Sequence, residues 1–296
     1  MRKKNLHQGT IEKFKEQLPM ILEKSQDFTL VASGMSRKVI LNNGSVLRYF
    51  GTKKQDCKID GAFIVMMVQR EIDAYIEKNG IPHFEEVHDV QNFNLKKIKS
   101  VVGKKFPLMG IDINACYWNV AHKLGYISDE LYERGISKVS KMGLLIAIGC
   151  LAKRPVVKTF KNGKVVSTHF DDETYLRYAP FYWNIIRYTY DLMIESFKVI
   201  GNDSWYMFLT DCIFVDLEKM KVAQKFLSDL GFKYKNHLIE FNSFDGFRLG
   251  WHDYKKNEQK QMYVFGRDIH DTLTMEKING AMRSPPHLAL TKIETK

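Results

Sequence analysis

Two apolar segments of the chain each contain a single aspartate. The first is Leu108-Met-Gly-Ile-Asp112-Ile-Asn114, and the second is Trp205-Tyr-Met-Phe-Leu-Thr-Asp211-Cys-Ile-Phe-Val215. Apolar runs of this length predict buried strands, where aspartate is disfavoured and an unpaired carboxylate is costly. Two acids on neighbouring strands would form a site for a hard divalent cation such as Mg²⁺, which prefers oxygen ligands. The alternative for each acid is a place in a turn or in a salt bridge.

The composition of the chain is that of a globular protein. Its 296 residues suffice for one large domain or two ordinary ones, and its apolar content of 45% supports a packed core. No apolar run approaches the roughly 20 residues that cross a bilayer. Met1-Arg-Lys-Lys4 is not followed by the apolar region of a signal peptide. We therefore expect no membrane partner and a cytoplasmic location.

The cysteines and the net charge narrow the class of protein further. The four cysteines are scattered and nowhere form the C-x-x-C spacing of a zinc or redox site, so free thiols are expected. Forty-five Lys and Arg against 34 Asp and Glu leave a formal charge of +11. Such a surplus favours a polyanionic partner, most often nucleic acid, although a basic surface can also serve solubility alone.

Helix and strand signals predict an N-terminal module over residues 1–105. Residues 9–25 have the spacing of an amphipathic helix, residues 38–50 form a hairpin around Asn42-Asn43-Gly44, and a second helix is predicted over 61–78. The polar and basic stretch 81–105 marks a boundary, either as a solvated loop or as a segment facing nucleic acid. Residues 106–267 are predicted to form a second domain, followed by a tail over 268–296.

Four segments of the second domain resemble the motifs of family B DNA polymerases. Asp112-Ile-Asn-Ala-Cys-Tyr117-Trp is similar to motif A, D-x-x-S-L-Y-P. Lys141-Met-Gly-Leu-Leu-Ile-Ala-Ile-Gly149 keeps the Lys and Gly of motif B, K-x-x-x-N-S-x-Y-G. Leu209-Thr-Asp211-Cys-Ile213 is similar to motif C, D-T-D-S-I, without its first Asp. Lys260-Gln-Met-Tyr263-Val-Phe-Gly266 is similar to the basic-aromatic K-K-R-Y-type segment, and all four occur in the family's order.

The resemblance implies an α+β fold with a polymerase-type palm, an antiparallel sheet backed by helices, beside the small N-terminal α/β module. Only 29 positions separate Asp112 from Lys141, so the fingers are expected to be reduced to one short helix at about 128–152. The segments before Asp112 and after Gly266 are too short for a proofreading exonuclease and a full thumb. The implied protein is a palm with minimal fingers and thumb.

The resemblance also implies roles for the residues of motifs A and C. Asp112 and Asp211 match the acids that hold two Mg²⁺ ions in the family, a site that Mn²⁺ would also fit. Tyr117 matches the aromatic residue beneath the sugar of the incoming nucleotide, where it would exclude a ribose 2′-hydroxyl. Packing at a strand-to-helix turn is the alternative for Tyr117. Trp118 stands where the motif has proline.

Basic residues match the positions that contact nucleotide and DNA in the family. Lys141 would bind the triphosphate, and Arg134 and Lys138 precede it at the spacing of one helix face, for which a solvated basic face is the alternative. The residues that would line the DNA side are Lys260, Tyr263, Arg248, Lys255 and Lys256. The alternative for this second group is an edge strand that carries lysine against aggregation. Leu145, Ile146 and Ile148 replace the Asn, Ser and Tyr of motif B.

Together these residues predict a Mg²⁺-dependent DNA polymerase or nucleotidyltransferase that adds deoxynucleotides to a nucleic-acid 3′ end. Its partners would be primer–template or single-stranded DNA, deoxynucleoside triphosphates and other replication proteins. The cytoplasm would be that of a host for a viral or plasmid-borne chain. Two alternatives remain open, a catalytically inactive palm that binds DNA and a metal-dependent nuclease on the same two acids. No G-x-x-x-x-G-K-[ST] loop of an ATP-driven motor is present.

Overall fold

The computed structural model describes residues 5–34, 36–51, 59–87, 91–246, 248–263 and 267–268. The chain divides into two compact units, and each unit is built from two stretches of sequence. The first unit comprises residues 1–83 and 121–182, and the second comprises residues 84–120 and 183–296. The chain therefore passes between the units three times.

The described residues contain eight α-helices and fourteen strands. The helices are α1 (Ile11–Lys24), α2 (Ile59–Asn79), α3 (Leu95–Val101), α4 (Cys116–Lys123), α5 (Asp129–Lys138), α6 (Lys141–Gly149), α7 (Asp172–Ile200) and α8 (Met220–Asp229). The strands are β1 (Asn5–Gly9), β2 (Phe28–Ser33), β3 (Ser36–Leu41), β4 (Val46–Phe50), β5 (Gln91–Phe93), β6 (Pro107–Ile113), β7 (Val156–Lys161), β8 (Lys164–Phe170), β9 (Trp205–Leu209), β10 (Cys212–Asp216), β11 (Tyr234–Phe244), β12 (Arg248–Asp253), β13 (Glu258–Tyr263) and β14 (Arg267–Asp268).

The first unit contains a six-stranded sheet in the order β1-β4-β3-β2-β7-β8. Helix α1 covers one face of this sheet, and its Phe14 and Ile21 pack with Phe28, Tyr49 and Phe160 in a single core cluster. The α1 helix begins after Thr10, whose hydroxyl accepts a hydrogen bond from the Lys13 amide. The helix predicted over 9–25 is therefore confirmed at Ile11–Lys24.

The predicted hairpin around Asn42-Asn43-Gly44 is also confirmed. Strands β3 and β4 pair on either side of this turn. Gly44 has a φ of +78°, in the left-handed region that glycine enters without strain. The Asn43 side chain accepts a hydrogen bond from the Ser45 amide at 2.9 Å, which fixes the turn.

The second unit contains an eight-stranded sheet in the order β13-β12-β11-β6-β10-β9-β5-β14. Its centre is a β-α-β-β-α-β arrangement of β6, β9, β10 and β11, which lie in the order β11-β6-β10-β9, with β7 and β8 of the other sheet inserted in the chain between β6 and β9. Helix α7 precedes β9 in the chain, and helix α8 connects β10 to β11. The α+β class predicted from the sequence is confirmed, with mainly antiparallel sheets backed by helices.

The division of the chain differs from a continuous N-terminal module that ends at residue 105. Strand β2 pairs with β7, so that Leu30 lies opposite Lys158, and this long-range pairing joins residues 121–182 to the N-terminal stretch. Phe93, Ile98 and Val101 are buried in the core of the second unit, beside Leu108 and other residues of its sheet. The segment 84–105 therefore belongs to the second unit, because its apolar side chains are buried in that unit's core. Of the predicted tail over 268–296, Asp268 belongs to β14, and residues 269–296 lie outside the described residues.

The length and hydropathy of the helices bear on whether any of them could span a membrane. Within the described part of the chain, no helix is long and apolar enough to cross a membrane.

Candidate active site

Strand pairing brings Asp112 and Asp211 to neighbouring positions. Asp112 on β6 lies directly opposite Cys212 on β10, the residue that follows Asp211. The Ile113 amide donates a hydrogen bond to the Asp211 carbonyl oxygen at 3.0 Å. Asp112 on β6 and Asp211, the residue before β10, are therefore at the same end of the sheet, although 98 residues of sequence lie between them.

The local position of Asp211 corrects one detail of the prediction. The sequence placed this acid inside an apolar strand, but Leu209 pairs with Cys212 and leaves Thr210 and Asp211 as a two-residue turn between β9 and β10. The turn relieves the cost of burying the carboxylate in the sheet, because Asp211 is only half-buried. Asp112 remains in its strand, as predicted, and is also half-buried.

The electrostatics of two thiols support the proximity of the acids. Burial raises the pKa of the Cys212 thiol well above its ordinary value, and the negative charges of Asp112 and Asp211 raise it further. Burial also raises the pKa of Cys116, and the charges of Asp211 and Asp112 add to that rise against a hydrogen bond from Thr189. Because Coulomb interactions weaken with distance, two carboxylates that act on the same two sulfurs lie close to both.

Backbone strain is concentrated beside the same acids. Four non-glycine residues among those described have a φ in the left-handed region, and two of them, Asn162 and Asn257, are asparagines, which tolerate it. The other two are Thr210 at +55°, next to Asp211, and Ala115 at +46°, three residues after Asp112. Strained residues of this kind cluster at functional sites, where the surrounding structure holds them in place.

The side-chain oxygen of Asn114 is a further candidate metal ligand at this end of the sheet. Asn114 follows Asp112 by two positions, and its Oδ1 atom is buried without a hydrogen-bond partner in the described part of the structure. Its backbone amide donates to the Lys233 carbonyl, which anchors the end of β6. Two carboxylates and an amide oxygen are the hard ligands that Mg²⁺ prefers, so the residues present fit this ion. A cluster of three or more His, Cys, Asp or Glu side chains able to hold a metal is absent from the described residues.

Tyr117 lies in the first turn of helix α4, five positions after Asp112. The preceding residue, Cys116, is buried, and its sulfur lies 3.8 Å from the Thr189 hydroxyl of α7. Trp118 is also buried, at 1% exposure, whereas Tyr117 is half-buried. The strand-to-helix turn thus presents Tyr117 on the more open side. Its role as a sugar gate stays a prediction.

Lys141 does not lie on one helix with Arg134 and Lys138, so the predicted single basic face is wrong. Helix α5 ends at Lys138, Val139 is extended, and the Ser140 hydroxyl caps a new helix by accepting from the Gly143 amide at 3.1 Å. The single fingers helix expected at 128–152 is accordingly two helices, α5 and α6. The three cations belong to the first unit, whereas the acids belong to the second.

The individual surroundings of these three cations differ. Arg134 stacks on the Phe63 ring, with the guanidinium carbon 4.8 Å from the ring centroid. Lys138 is exposed in the last turn of α5, where a cation complements the helix dipole. Lys141 is exposed at the first position of α6.

Lys260 is held by a buried acid that the sequence did not reveal as part of the site. Asp253 is only 1% exposed, and its Oδ2 atom lies 3.0 Å from the Lys260 ammonium and 3.6 Å from His237 Nδ1. Burial alone would raise the pKa of Asp253, but hydrogen bonds from Lys260 and the Lys256 amide, with the charges of Lys260 and His237, lower it.

The register places this group on the same sheet face as Asp112. Asp112 and Gly110 are two positions apart on β6, and Gly110 lies opposite His237 on β11. The charge of Lys260 also acts on Cys212, where it opposes the rise in the thiol pKa. Lys235 on β11 lies directly opposite Asp112 and adds a second cation to this face. In the sequence, the one sign of this group was an acid, Asp253, two positions after Trp251.

The other predicted DNA-side residues are near the rim of this sheet. Lys255 and Lys256 are exposed in the turn between β12 and β13. Arg248 is exposed, pairs with Tyr263 across β12 and β13, and has its Nε atom 3.7 Å from Asp245 Oδ2. The Tyr263 side chain and Gly266 lie outside the described residues.

Comparison of the chain with models of known families, with curated proteins and with solved structures found no match.

Proposed function

We propose that the protein is a Mg²⁺-dependent nucleotidyltransferase that adds deoxynucleotides to a nucleic-acid 3′ end, as a reduced relative of family B DNA polymerases. The observation that carries the proposal is the pairing of β6 with β10, which sets Asp112 beside Asp211. The resemblance of four segments to polymerase motifs supplies the chemistry to be expected from such a pair. The net charge of +11 suits a nucleic-acid substrate.

The residues of the sheet have separate tasks in this proposal. Asp112 and Asp211 would hold the Mg²⁺ ions, which in such sites activate a hydroxyl nucleophile and offset charge on a transferring phosphoryl group. The chain itself fixes the two carboxylates through the strand register and the strained turns at Thr210 and Ala115. Lys260, oriented by Asp253, would contact the backbone phosphates of DNA without reading its sequence.

A primer-extension assay tests the proposal. Purified protein is incubated with end-labelled primer–template DNA, Mg²⁺ and deoxynucleoside triphosphates, in parallel with Asp112→Asn and Asp211→Asn. Extension is expected in the unmodified protein and in Asp203→Asn, a matched change of an exposed acid in the same unit. Extension should be lost in both site variants. Extension that survives in either of them would contradict the assignment.

The same assay separates the alternatives. Shortening of the label that depends on Asp112 and Asp211 would identify a metal-dependent nuclease instead of a transferase. A gel shift with neither product, unchanged in the two variants, would identify a DNA-binding module with an inactive palm. Repeating the assay on single-stranded DNA shows whether a template is required.

Tyr117 provides a test of substrate choice. If its ring lies beneath the sugar, Tyr117→Ala should admit ribonucleotides while Tyr117→Phe, which keeps the ring, continues to exclude them. The ratio of ribonucleotide to deoxynucleotide incorporation measures the effect. Equal ratios in all three proteins would remove the sugar-gate assignment and leave Tyr117 as a packing residue.

A further inference from the structure

The first unit contains a cavity that the polymerase resemblance does not assign. It encloses about 270 Å³, near the lower end of the range for pockets that bind small molecules. Its wall is drawn from strands β2, β3 and β4, from helices α2 and α7, and from the segment that joins α6 to β7. The lining residues are Ser33, Ser36, Arg48, Tyr49, Phe50, Val65, Met66, Gln69, Cys150, Lys153, Pro155 and Thr174.

The cavity is positively charged. Arg48 and Lys153 line it, and none of the described lining residues is acidic. Neither cation forms an ion pair with a carboxylate in the described part of the chain, which leaves both charges uncompensated there. Lys38 lies directly opposite Arg48 on β3, so two like charges face each other across the strands.

Gly34 lies beside Lys153, one of the two cations of the cavity. Gly34, in the turn after β2, has a φ of +48°, and a Cβ atom at this residue would be 3.0 Å from the Lys153 ammonium. The lysine side chain therefore lies against the backbone of Gly34. The Ser33 and Ser36 side chains line the wall on either side of this turn. The Thr174 hydroxyl is occupied, because it donates to Asp171 at 2.7 Å.

The rest of the wall is apolar, which suits a ligand that carries an organic group beside its anion. Phe50, Val65, Met66 and Pro155 supply this part of the lining. Guanidinium and ammonium groups beside hydroxyls bind phosphate, and an apolar wall next to them accommodates a base or sugar. The combination is typical of sites for a phosphate monoester with an attached organic group.

We propose that this cavity binds the phosphate of a nucleotide, with Arg48 and Lys153 as its charged contacts and the apolar wall against the nucleoside. Two sources present this group, a free mononucleotide and the 5′-phosphorylated end of a DNA strand. The proposal goes beyond the transferase proposed above and does not depend on Asp112 or Asp211, because all of its residues belong to the first unit.

Binding measurements with four probes test the proposal on the full chain. The probes are deoxyadenosine monophosphate, deoxyadenosine, a 5′-phosphorylated single-stranded oligonucleotide and the same oligonucleotide with a 5′-hydroxyl. At least one phosphorylated probe should bind about tenfold or more tightly than its unphosphorylated counterpart. Preference for the mononucleotide alone identifies a free nucleotide as the source, and preference for the oligonucleotide alone identifies a strand end.

Variants locate the site. Arg48→Gln and Lys153→Gln should each remove the preference for the phosphorylated probe, whereas Lys161→Gln, an exposed cation at the end of β7 outside the cavity, should keep it. Cys150 gives a readout at the cavity itself, because its half-buried thiol is part of the lining. The phosphorylated probe should slow alkylation of Cys150 in the unmodified protein.

Three outcomes would overturn the proposal. They are equal affinity for phosphorylated and unphosphorylated probes, an equal loss in Lys161→Gln, and an alkylation rate at Cys150 that the phosphorylated probe leaves unchanged. Asp112→Asn should retain the phosphate preference. A protein that shows this preference but no extension would therefore contradict the transferase and leave the cavity assignment intact.

Discussion

The candidate sites of the two units differ in the charged residues that strand pairing brings together. In the second unit, the pairing of β6 with β10 places two carboxylates at one end of the sheet. In the first unit, the pairing of β3 with β4 places Lys38 opposite Arg48, and Lys153 adds a further cation at the cavity. The carboxylate pair suits the metal ions of the proposed transferase, and the cations suit the phosphate of the proposed nucleotide site.

A crossed set of variants should produce the largest effects. Asp112→Asn should lower extension more than about a hundredfold, since groups that merely support metal ligands are already worth 10–100-fold. It should leave the phosphate preference of the first unit unchanged. Arg48→Gln should remove the phosphate preference and leave extension unchanged. Extension rates and probe affinities measured on the same samples give the result, and a loss of both properties in both variants would show that the sites are not independent.

The ion pair of the buried Asp253 in the second unit should contribute to stability. Asp253→Asn removes the carboxylate that pairs with Lys260 and His237, and it should lower the free energy of unfolding by about 3 kcal/mol. Asp245→Asn, which breaks the exposed pair with Arg248, should cost less than about 1 kcal/mol. Urea denaturation measures both changes. Similar losses in the two variants would show that the burial of Asp253 has no energetic role.

The same aspartate gives a dependence on pH. Its pKa is lower in the folded protein than in the unfolded chain, so the unfolded chain binds the proton more tightly and acid favours unfolding. The stabilisation from Asp253 should be complete above about pH 4, the ordinary range of the carboxyl, and should be lost as the pH falls through the lowered folded value. The difference in unfolding free energy between the unmodified protein and Asp253→Asn should therefore shrink below pH 4. A constant difference would contradict this account.

The smallest expected effect concerns the strained turn of the acid site. Thr210→Gly should raise the free energy of unfolding by about 1 kcal/mol, because a β-branched residue at a φ of +55° is strained and glycine is not. Asn162→Gly, at a φ of +49° in the turn after β7, is the control and should change stability less, since asparagine tolerates this region. Thermal denaturation distinguishes the two. A destabilised Thr210→Gly would show that the threonine is not strained.

The sequence predicted those parts of the fold that depend on near neighbours. The Asn42-Asn43-Gly44 turn and helix α1 follow from local turn chemistry and from the spacing of apolar residues. Asp112 and Asp211 stood out because each interrupts an apolar run. The α+β class followed from the mixture of these signals.

The parts that depend on distant residues could not be predicted in the same way. The break between α5 and α6 comes from Val139 and the Ser140 cap, although the cations on either side have helical spacing. The pairing of β2 with β7 joins residues more than 120 positions apart, and no periodicity within either strand specifies it. The cavity lining spans residues 33 to 174, and none of its residues is distinctive alone. Asp253 forms a charged group only because the fold brings Lys260 and His237 next to it.

The passage of residues 121–182 into the first unit has a consequence for how the protein can be cut and made. A fragment that ends at residue 105 lacks β7 and β8 of one sheet and takes β5 and α3 away from the other. During synthesis, β6 leaves the ribosome well before β10, so the strand that carries Asp112 waits for its neighbour while the intervening residues complete the other unit. Each unit therefore needs residues from both sides of position 120.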